Sequence, residues 1–347
     1  LIHLICDIFI LYNSNNSNNI IMTEQIELPR LKKFTIENGA PRQRIWDTSS
    51  LSTFLACPRL YNYTNLQGYK SQRYASATGF GSAVHEGFEV LDRGKFEGKS
   101  KDVAVREALV FVLKEFGEDL KMSDDSARGL ESTLRAIVWR AEEYWEDTFK
   151  IATMPNGEAA LEQRFEVPFG NGEHRFSGRI DKIVTLDDRL YLVDFKTTKT
   201  ALSSYYFQGF MPNNQIFAYL WACRHVLKLP VDGFIIDGVQ TGVNFTRFNR
   251  SVFNVTEELI EEWYVDTLFA LRNADNFWKN NYYPADFTGC GNYGGCRFRE
   301  VCSAPQSRRD IFLKNDFVKE PHPDLVEASQ RKNVIDLAQH RKNNSST

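Results

Sequence analysis

The 347-residue chain is 42% hydrophobic, 13% aromatic and 25% charged, a globular composition that excludes a disordered, collagen-like or rod-forming protein. Its 42 Lys and Arg stand against 45 Asp and Glu, a formal charge of −3. That excludes a histone-like polybasic protein but leaves room for a local basic groove, and six cysteines are too few for a disulfide-dense secreted scaffold.

The chain opens with LIHLICDIFILY and then NSNNSNN. The apolar run is too short to span a bilayer and lacks the basic lead and cleavage site of a signal peptide; the polar stretch is of low complexity. Met22, leading into TEQIELPR, reads as a start, so residues 1–21 are read as a non-native or disordered leader. No other window approaches the ~18 apolar residues of a membrane span, which predicts a soluble, cytoplasmic protein.

Residues 22–157 read as a helical region. Thr48–Ser50 caps LSTFLACPRLYNY, where Pro58 predicts a break. GFGSAVHEGFEVLDRG reads as a helix ending at Gly94, and 101–121 and 126–149 carry apolar residues at helical spacing, among them Val105, Leu109, Val112 and Phe116. From 158 to 280 a core of a different period follows. LEQRFEVPF, HRFSGRIDKIVTL and RLYLVDFKTT alternate with period two, with turn signals at Gly170–Gly172 and Asp187–Asp188 between them, and so predict an antiparallel meander. A helix over 205–228, strands over 231–241 and 245–255, and a helix over 256–279 complete the core. Residues 281–305 are rich in Gly and Cys without periodicity. Residues 306–347 read as a polar tail, frayed beyond 315.

Chemistry concentrates in the meander. Asp194 and Lys196 are two apart on a strand and share a face, while Phe195 points the other way. A tight hairpin at 187–188 would bring Asp181 opposite Asp194. Two converging carboxylates make a hard-oxygen site for a divalent cation, with a lysine beside it; a cross-strand ion pair on a solvated face is the competing reading. Gln215 and Tyr219, i and i+4 on the next helix, share a face directed back at the sheet. His85 flanks the apolar stripe of its helix, and Glu162 opens the first strand of the meander.

In this order, Gly81–His85 as GxxxH, Gly178–Asp181 as GxxD, Asp194–Lys196 as DxK and Gln215–Tyr219 as QxxxY, the set resembles the PD-(D/E)XK nuclease superfamily and, within it, the RecB-like and CRISPR-associated exonuclease branch. The resemblance covers roughly residues 49–305. It implies an α/β, restriction-endonuclease-like core, a mixed central sheet flanked by helices, joined to the N-terminal helical region and the C-terminal cysteine cluster. It also implies Mg²⁺ or Mn²⁺ held by His85, Asp181, Asp194 and the Phe195 backbone carbonyl. Lys196 would orient the attacking water or stabilise developing charge, Gln215 and Tyr219 would position the substrate strand, and Glu162 would be an outer-shell group.

Cys290, Cys296 and Cys302 lie in GCGNYGGCRFREVC, and Cys57 stands far upstream in ACPRLYNY. The iron–sulfur members of the branch join one early cysteine to three late ones around a 4Fe–4S cluster, and these four resemble that set. The five residues between Cys290 and Cys296 depart from the commoner two, which leaves a zinc ion as the alternative. Cys223, in AYLWACRHV, reads as core. The implied activity is DNA exonuclease on single strands or duplex ends in recombination, repair or phage replication, in a prokaryotic host cytoplasm. A helicase, recombinase or single-strand-binding protein would be its partner, with no membrane involved. Alternatives are a non-catalytic DNA-binding module and a zinc-stapled structural protein of a replication or packaging complex. Arg59, Arg73, Arg179, Lys199 and Arg224, with Tyr61, Tyr63, Tyr205 and Tyr206 to stack on bases, are the candidate DNA contacts.

Overall fold

The computed structural model describes residues 31–71 and 77–327; the expected leader, residues 1–21, Arg73 and the chain beyond Glu327 lie outside the described residues. Where sequence reading expected only helices, strands come first. Phe34–Glu37 (β1) and Ala40–Gln43 (β2) form a hairpin turning through Asn38 and Gly39, at φ 52° and 78°. Ile45–Trp46 (β3) then joins the main sheet. These strands are too short, and too mixed in charge and Pro content, to show a period.

Helix Thr48–Ala56 (α1) is capped by Asp47, not by Thr48–Ser50: Ser50 N–H donates to the Asp47 carboxylate at 2.8 Å and Asp47 N–H donates back to Ser50 Oγ at 3.1 Å. The expected break falls at Cys57, and Pro58–Tyr61 (α2) restarts the helix with Pro at its first position before a π-turn over Asn62–Leu66. After Tyr69–Ser71 (β4) come Ala77–Phe96 (α3), Lys101–Lys121 (α4) and Leu130–Tyr144 (α5). Gly94 does not end α3. A Cβ there would lie 2.8 Å from the Ala104 Cβ, so this glycine permits close helix packing.

The meander is present as Leu161–Phe169 (β6, after the two-residue β5 at Lys150–Ile151), His174–Leu186 (β7) and Arg189–Thr198 (β8). The helix expected over 205–228 divides into Ser204–Gln208 (α6), Asn214–Trp221 (α7) and a π-turn over Ala222–Val226, because Pro212 and the Asn213 cap restart it. Val231–Thr241 (β9), Thr246–Asn254 (β10) and Glu257–Lys279 (α8) follow. The seven-stranded sheet runs β10-β9-β8-β7, with β3, β5 and β6 all on β7; β8 pairs with β9 in parallel across the α6–α7 connection, so the sheet is mixed.

Side-chain alternation builds two cores. Val193, Phe195, Ile235 and Val239 pack against α3, α4 and α5 on one face. Leu192, Phe234 and Ile236 pack with residues of α1, α7 and α8 on the other. This is the expected mixed sheet flanked by helices. Cys223 is fully buried in the second of these cores, as read, and burial pushes its thiol up to about 12.

The segment expected to fray is ordered as far as it is described. Arg299–Ser303 (α9) and Arg309–Asp316 (α10) lead into Phe317–Lys319 (β11), which pairs antiparallel with β4. Phe317 stacks on Phe298 at 4.3 Å, and a Cβ on Gly68 (φ 74°) would lie 2.3 Å from the Glu320 carbonyl oxygen, so the returning chain passes where only glycine fits. The polar composition of 306–327 concealed this anchoring by two aromatic rings. The described residues from Lys32 onward form one compact unit.

Candidate active site

The site sits where the sheet opens. β6 covers one edge of β7 from His174 to Lys182. On the other edge, β3 takes Arg175 and Phe176, and β8 takes Lys182 to Leu186. Ser177–Asp181 therefore face no strand on that edge among the described residues. The β7–β8 hairpin turns through Asp187 and Asp188, both at positive φ (48° and 60°), which sets the register Leu186↔Arg189 through Lys182↔Val193. One step further, this register places Asp181 opposite Asp194, as expected. The ladder stops there, and Phe195 N–H donates instead to Asp181 Oδ2 at 2.9 Å.

Three further elements converge on the pair. From α3, His85 Nδ1 lies 3.3 Å from Asp181 Oδ2, and its ring meets that of Phe195 edge-on at 5.7 Å. Along β8, the Lys196 ammonium lies against Asp194 Oδ2 and donates to Gln215 Oε1 at 3.0 Å. From α7, Gln215 Nε2 donates to Asp194 Oδ1 at 2.6 Å. One amide thus holds both members of the DxK pair. Tyr219, a turn later and buried, accepts the Arg179 N–H at 3.5 Å through its hydroxyl. His85, Asp181, Asp194, Lys196, Gln215 and Tyr219 are all brought together.

The two aspartates are electrostatically unequal. Burial pushes the Asp194 carboxyl up; Lys196 opposes this and the Asp181 charge adds to it. Burial also acts on Asp181, but the hydrogen bond and charge of His85, with the Phe195 N–H, hold its carboxyl below the usual range. His85 is lifted above its ordinary value despite burial, through its hydrogen bond to Asp181 and the charges of both aspartates. Buried Asp194 Oδ2 has no aligned hydrogen-bond donor, although the Lys196 ammonium touches it. Such an under-satisfied oxygen beside a second carboxylate and an imidazole is a donor set that fits Mg²⁺ or Mn²⁺. Among the described residues, no group of three or more His, Cys, Asp or Glu side chains, the cysteines included, is arranged as it stands to hold a metal ion; here Lys196 and His85 contact the carboxylates directly.

A family model of the PD-(D/E)XK nuclease superfamily matches residues 46–303. The chain belongs to the PD-(D/E)XK nuclease superfamily. Among curated proteins, none matches. Among solved structures, the chain is similar to a candidate exonuclease from Eubacterium rectale, at 15% identity, TM-score 0.44, over 80% of this chain and 91% of that one. It is also similar to the protein SSO0001, at 16% identity, TM-score 0.22, over 39% of this chain and 60% of that one. Gly178 has a packing reason here: a Cβ would lie 2.5 Å from the Phe165 ring and 2.6 Å from that of Tyr219.

Glu162 lies opposite Asp181 on the β6 side, between the register pairs Leu161↔Lys182 and Gln163↔Ile180. It adopts φ 50°, rare for a residue with a side chain, and its Oε2 lies 2.8 Å from Arg179 Nε. Burial pushes its carboxyl up to about 7, Arg179 offsetting this in part and Asp181 adding to it.

The cysteines also gather. Cys57 Sγ accepts the Asp286 N–H at 3.3 Å, Arg59 N–H donates to the Pro284 carbonyl at 3.0 Å, and a Cβ on Gly289 would lie 3.0 Å from the Ala56 carbonyl oxygen. Cys296 N–H donates to the Cys290 carbonyl at 2.9 Å. Burial raises the Cys296 thiol, and Cys290, Cys302 and Cys57 are all near enough to raise it further. All four are free thiols, and Cys296 and Cys302 pack against the small core of Tyr63, Phe298, Val301, Leu313 and Phe317. Soft sulfur donors from two distant segments are a chemically suitable set for iron–sulfur or zinc.

Several expected DNA contacts are overturned. Tyr61 and Tyr63 are 2% and 8% exposed and cannot stack on bases; Tyr61 donates to Gln43 Oε1 inside the core. Their helix turns them inward against Trp46 and Phe298. Arg224 is consumed by the carbonyls of Val231, Asp232 and Val255, whereas Lys199, paired with Asp125, keeps a side chain 54% exposed. Tyr205, in contrast, is 83% exposed.

Sequence reading missed a buried ion network on the far side of β8. Arg140 grips Asp237 through two hydrogen bonds of 2.9 and 2.6 Å, Arg250 adds a third at 2.8 Å, and Lys182 donates to Asp92 at 2.7 Å. Arg140 and Lys182 lie over the Phe195 ring at 5.0 and 5.2 Å. The available signal was the presence of Lys182 and Asp237 inside otherwise apolar strands.

Proposed function

We propose that this chain is a metal-dependent DNA exonuclease acting on single strands or duplex ends, in recombination, repair or replication of prokaryotic or phage DNA. The observation that carries this reading is the convergence of His85, Asp181, Asp194 and Lys196 at the open edge of β7. His85, Asp181 and Asp194 would hold Mg²⁺ or Mn²⁺, with the Phe195 carbonyl as a further ligand. The bound ion would lower the pKa of a water and neutralise phosphate charge. Lys196 would release Asp194 to the ion and turn its ammonium toward the water or the developing negative charge. Gln215 would keep hold of both residues during that exchange, and Tyr219 would brace the β7 backbone beside the scissile strand. Cys57, Cys290, Cys296 and Cys302 would hold a 4Fe–4S cluster, or zinc in its place, and so fasten the chain's distant segments together.

The test is digestion of 5′- and 3′-labelled single-stranded, duplex and circular DNA with Mg²⁺ or Mn²⁺. The parent should degrade linear substrates and spare circles. Asp194→Ala and Lys196→Ala should each lose at least about 10²-fold in rate, as expected when transition-state charge stabilisation is removed. His85→Ala should lose metal affinity and digestion together. Parental cleavage by the Asp194 or Lys196 variant would refute the reading.

A further inference from the structure

We propose that Arg179 contacts the scissile phosphate and that Glu162 is the positioning residue that holds its guanidinium at the mouth of the site. The inference rests on the nuclease reading and gives a defined role to Arg179, expected above only as one of several DNA contacts, and to Glu162, expected above as an outer-shell group. A site built on Asp181 and Asp194 repels a phosphate until cations outweigh it. Lys196 lies between Asp194 and Gln215, and once released, as the nuclease reading has it, it supplies a single point charge. Arg179 lies in Ser177–Asp181, which pairs with β6 but faces no strand on its other edge among the described residues; its side chain is 45% exposed, and its backbone N–H donates to Tyr219. Its planar fork suits two phosphate oxygens at once, which an ammonium does not.

Glu162 supplies the second, independent observation. Its side chain is only 15% exposed, and its backbone is held in the left-handed region directly across from Asp181. A residue with a side chain persists in that conformation only when its surroundings demand it. Here the conformation interrupts the β6–β7 ladder at one residue and turns Glu162 Oε2 to Arg179 Nε, 2.8 Å away. Contact through Nε leaves the two terminal nitrogens of the fork for a ligand. The carboxylate thus sets where the guanidinium waits before substrate arrives.

The experiment is steady-state digestion of a labelled single-stranded oligonucleotide in Mn²⁺ by the parent, Arg179→Ala, Arg179→Lys, Glu162→Gln and the Glu162→Gln/Arg179→Ala double variant, with Asp194→Ala as inactive control. Mn²⁺ affinity is measured by calorimetry and folding by thermal melting. Arg179→Ala should lower kcat/KM by about 10²-fold or more, as loss of a transition-state donor does, with parental Mn²⁺ affinity. Arg179→Lys should recover part of that loss. Glu162→Gln should be impaired alone yet add nothing to Arg179→Ala, a coupling that a merely structural role would not produce. An Arg179→Ala enzyme with parental kcat/KM, or a Glu162→Gln defect of equal size with and without Arg179, overturns this inference while the parent's activity and the inert Asp194 variant sustain the nuclease reading. A parent inert on every substrate removes both.

Discussion

Replacing Gly178 with alanine tests how the sheet and the α7 helix are locked together. The added methyl would meet two Phe165 ring atoms at 2.5 and 2.6 Å and one Tyr219 ring atom at 2.6 Å, well inside van der Waals contact. Phe165 and Tyr219 pack edge to face at 5.4 Å, so neither ring moves without the other. Gly178 does not use positive φ, and alanine would gain about 0.4–1 kcal/mol by restricting the unfolded chain. Overpacking costs about 1–3 kcal/mol. With three ring atoms displaced at once the upper part of that range, about 2–3 kcal/mol, applies, for a net loss of about 1–2.5 kcal/mol. Gly81, the other motif glycine, gives the control: a Cβ there meets only Thr197 Oγ1 at 3.6 Å, so Gly81→Ala should be neutral or stabilising by up to about 1 kcal/mol through helix propensity. Urea unfolding followed by both fluorescence and circular dichroism would read the midpoints. Phe165→Leu removes one of the clashing rings and should recover part of the Gly178→Ala loss in the double variant, a coupling of about 0.5 kcal/mol or more. Parental stability for Gly178→Ala, or a strictly additive double variant, would refute the packing argument.

Asp237→Asn should cost about 3–5 kcal/mol, since it leaves buried Arg140 without its anion, while Arg250 keeps Asp147. In the parent, burial opposes the Asp237 charge but Arg140, then Arg250 and Lys182, hold its carboxyl well below the usual 3.8. Its stabilisation is therefore complete above that pH and is lost as pH falls through the lower folded value, so acid-unfolding curves of parent and variant should converge only at the acid extreme. Tyr61→Phe should cost about 1–3 kcal/mol by orphaning Gln43 Oε1, with DNA affinity unchanged in a binding titration; weakened DNA binding at parental stability would restore the stacking role. Anaerobically purified protein should be brown, and Cys57→Ser should bleach it and lower its melting temperature. Colourless parent protein carrying stoichiometric zinc would replace iron, and parent protein carrying neither metal would end the staple.

How far the site was legible follows from the kind of signal each residue carries. Asp194 with Lys196, and Gln215 with Tyr219, are fixed in mutual position by strand and helix periods of two and four, so spacing alone placed them. Asp181 needed the hairpin at Asp187–Asp188, whose turn chemistry was also local. His85 is 96 positions from Asp181 and no period links them; only the ordered set of motifs nominated it. What stayed hidden depends on which way a side chain turns in three dimensions. Tyr61 ends a four-residue helix and Tyr63 lies in the π-turn after it, among both apolar (Leu60, Leu66) and polar (Arg59, Asn62, Thr64, Asn65) neighbours, so composition could not say which rings faced water. The strands at 34–46 and 317–319 escaped because segments of two to four residues have no period to read. The ion network of Arg140, Asp237, Arg250, Lys182 and Asp92 draws on α3, α5, β7, β9 and β10, and no local pattern can register a contact set of that kind.

The same facts explain why the sheet is open where it is. A continuous β7–β8 ladder would bring the Asp181 and Asp194 carboxylates side by side with no counter-charge, which a buried strand pair does not tolerate. The chain resolves this locally. β8 departs from β7 one residue early, Asp181 replaces the lost ladder bond by accepting Phe195 N–H, and His85 and Lys196 each take one carboxylate. That departure would weaken β8 if it were not held from behind. Phe195 supplies the hold: its ring lies between the His85 edge and the cations of Arg140 and Lys182, which are themselves balanced by Asp237 and Asp92. Charge on the open face of β8 is thus matched on its other face by three cations, Arg140, Arg250 and Lys182, set against three carboxylates, Asp237, Asp147 and Asp92. The strand is free to bear two ionisable groups at a break in the sheet because the residue between them is anchored on the opposite side.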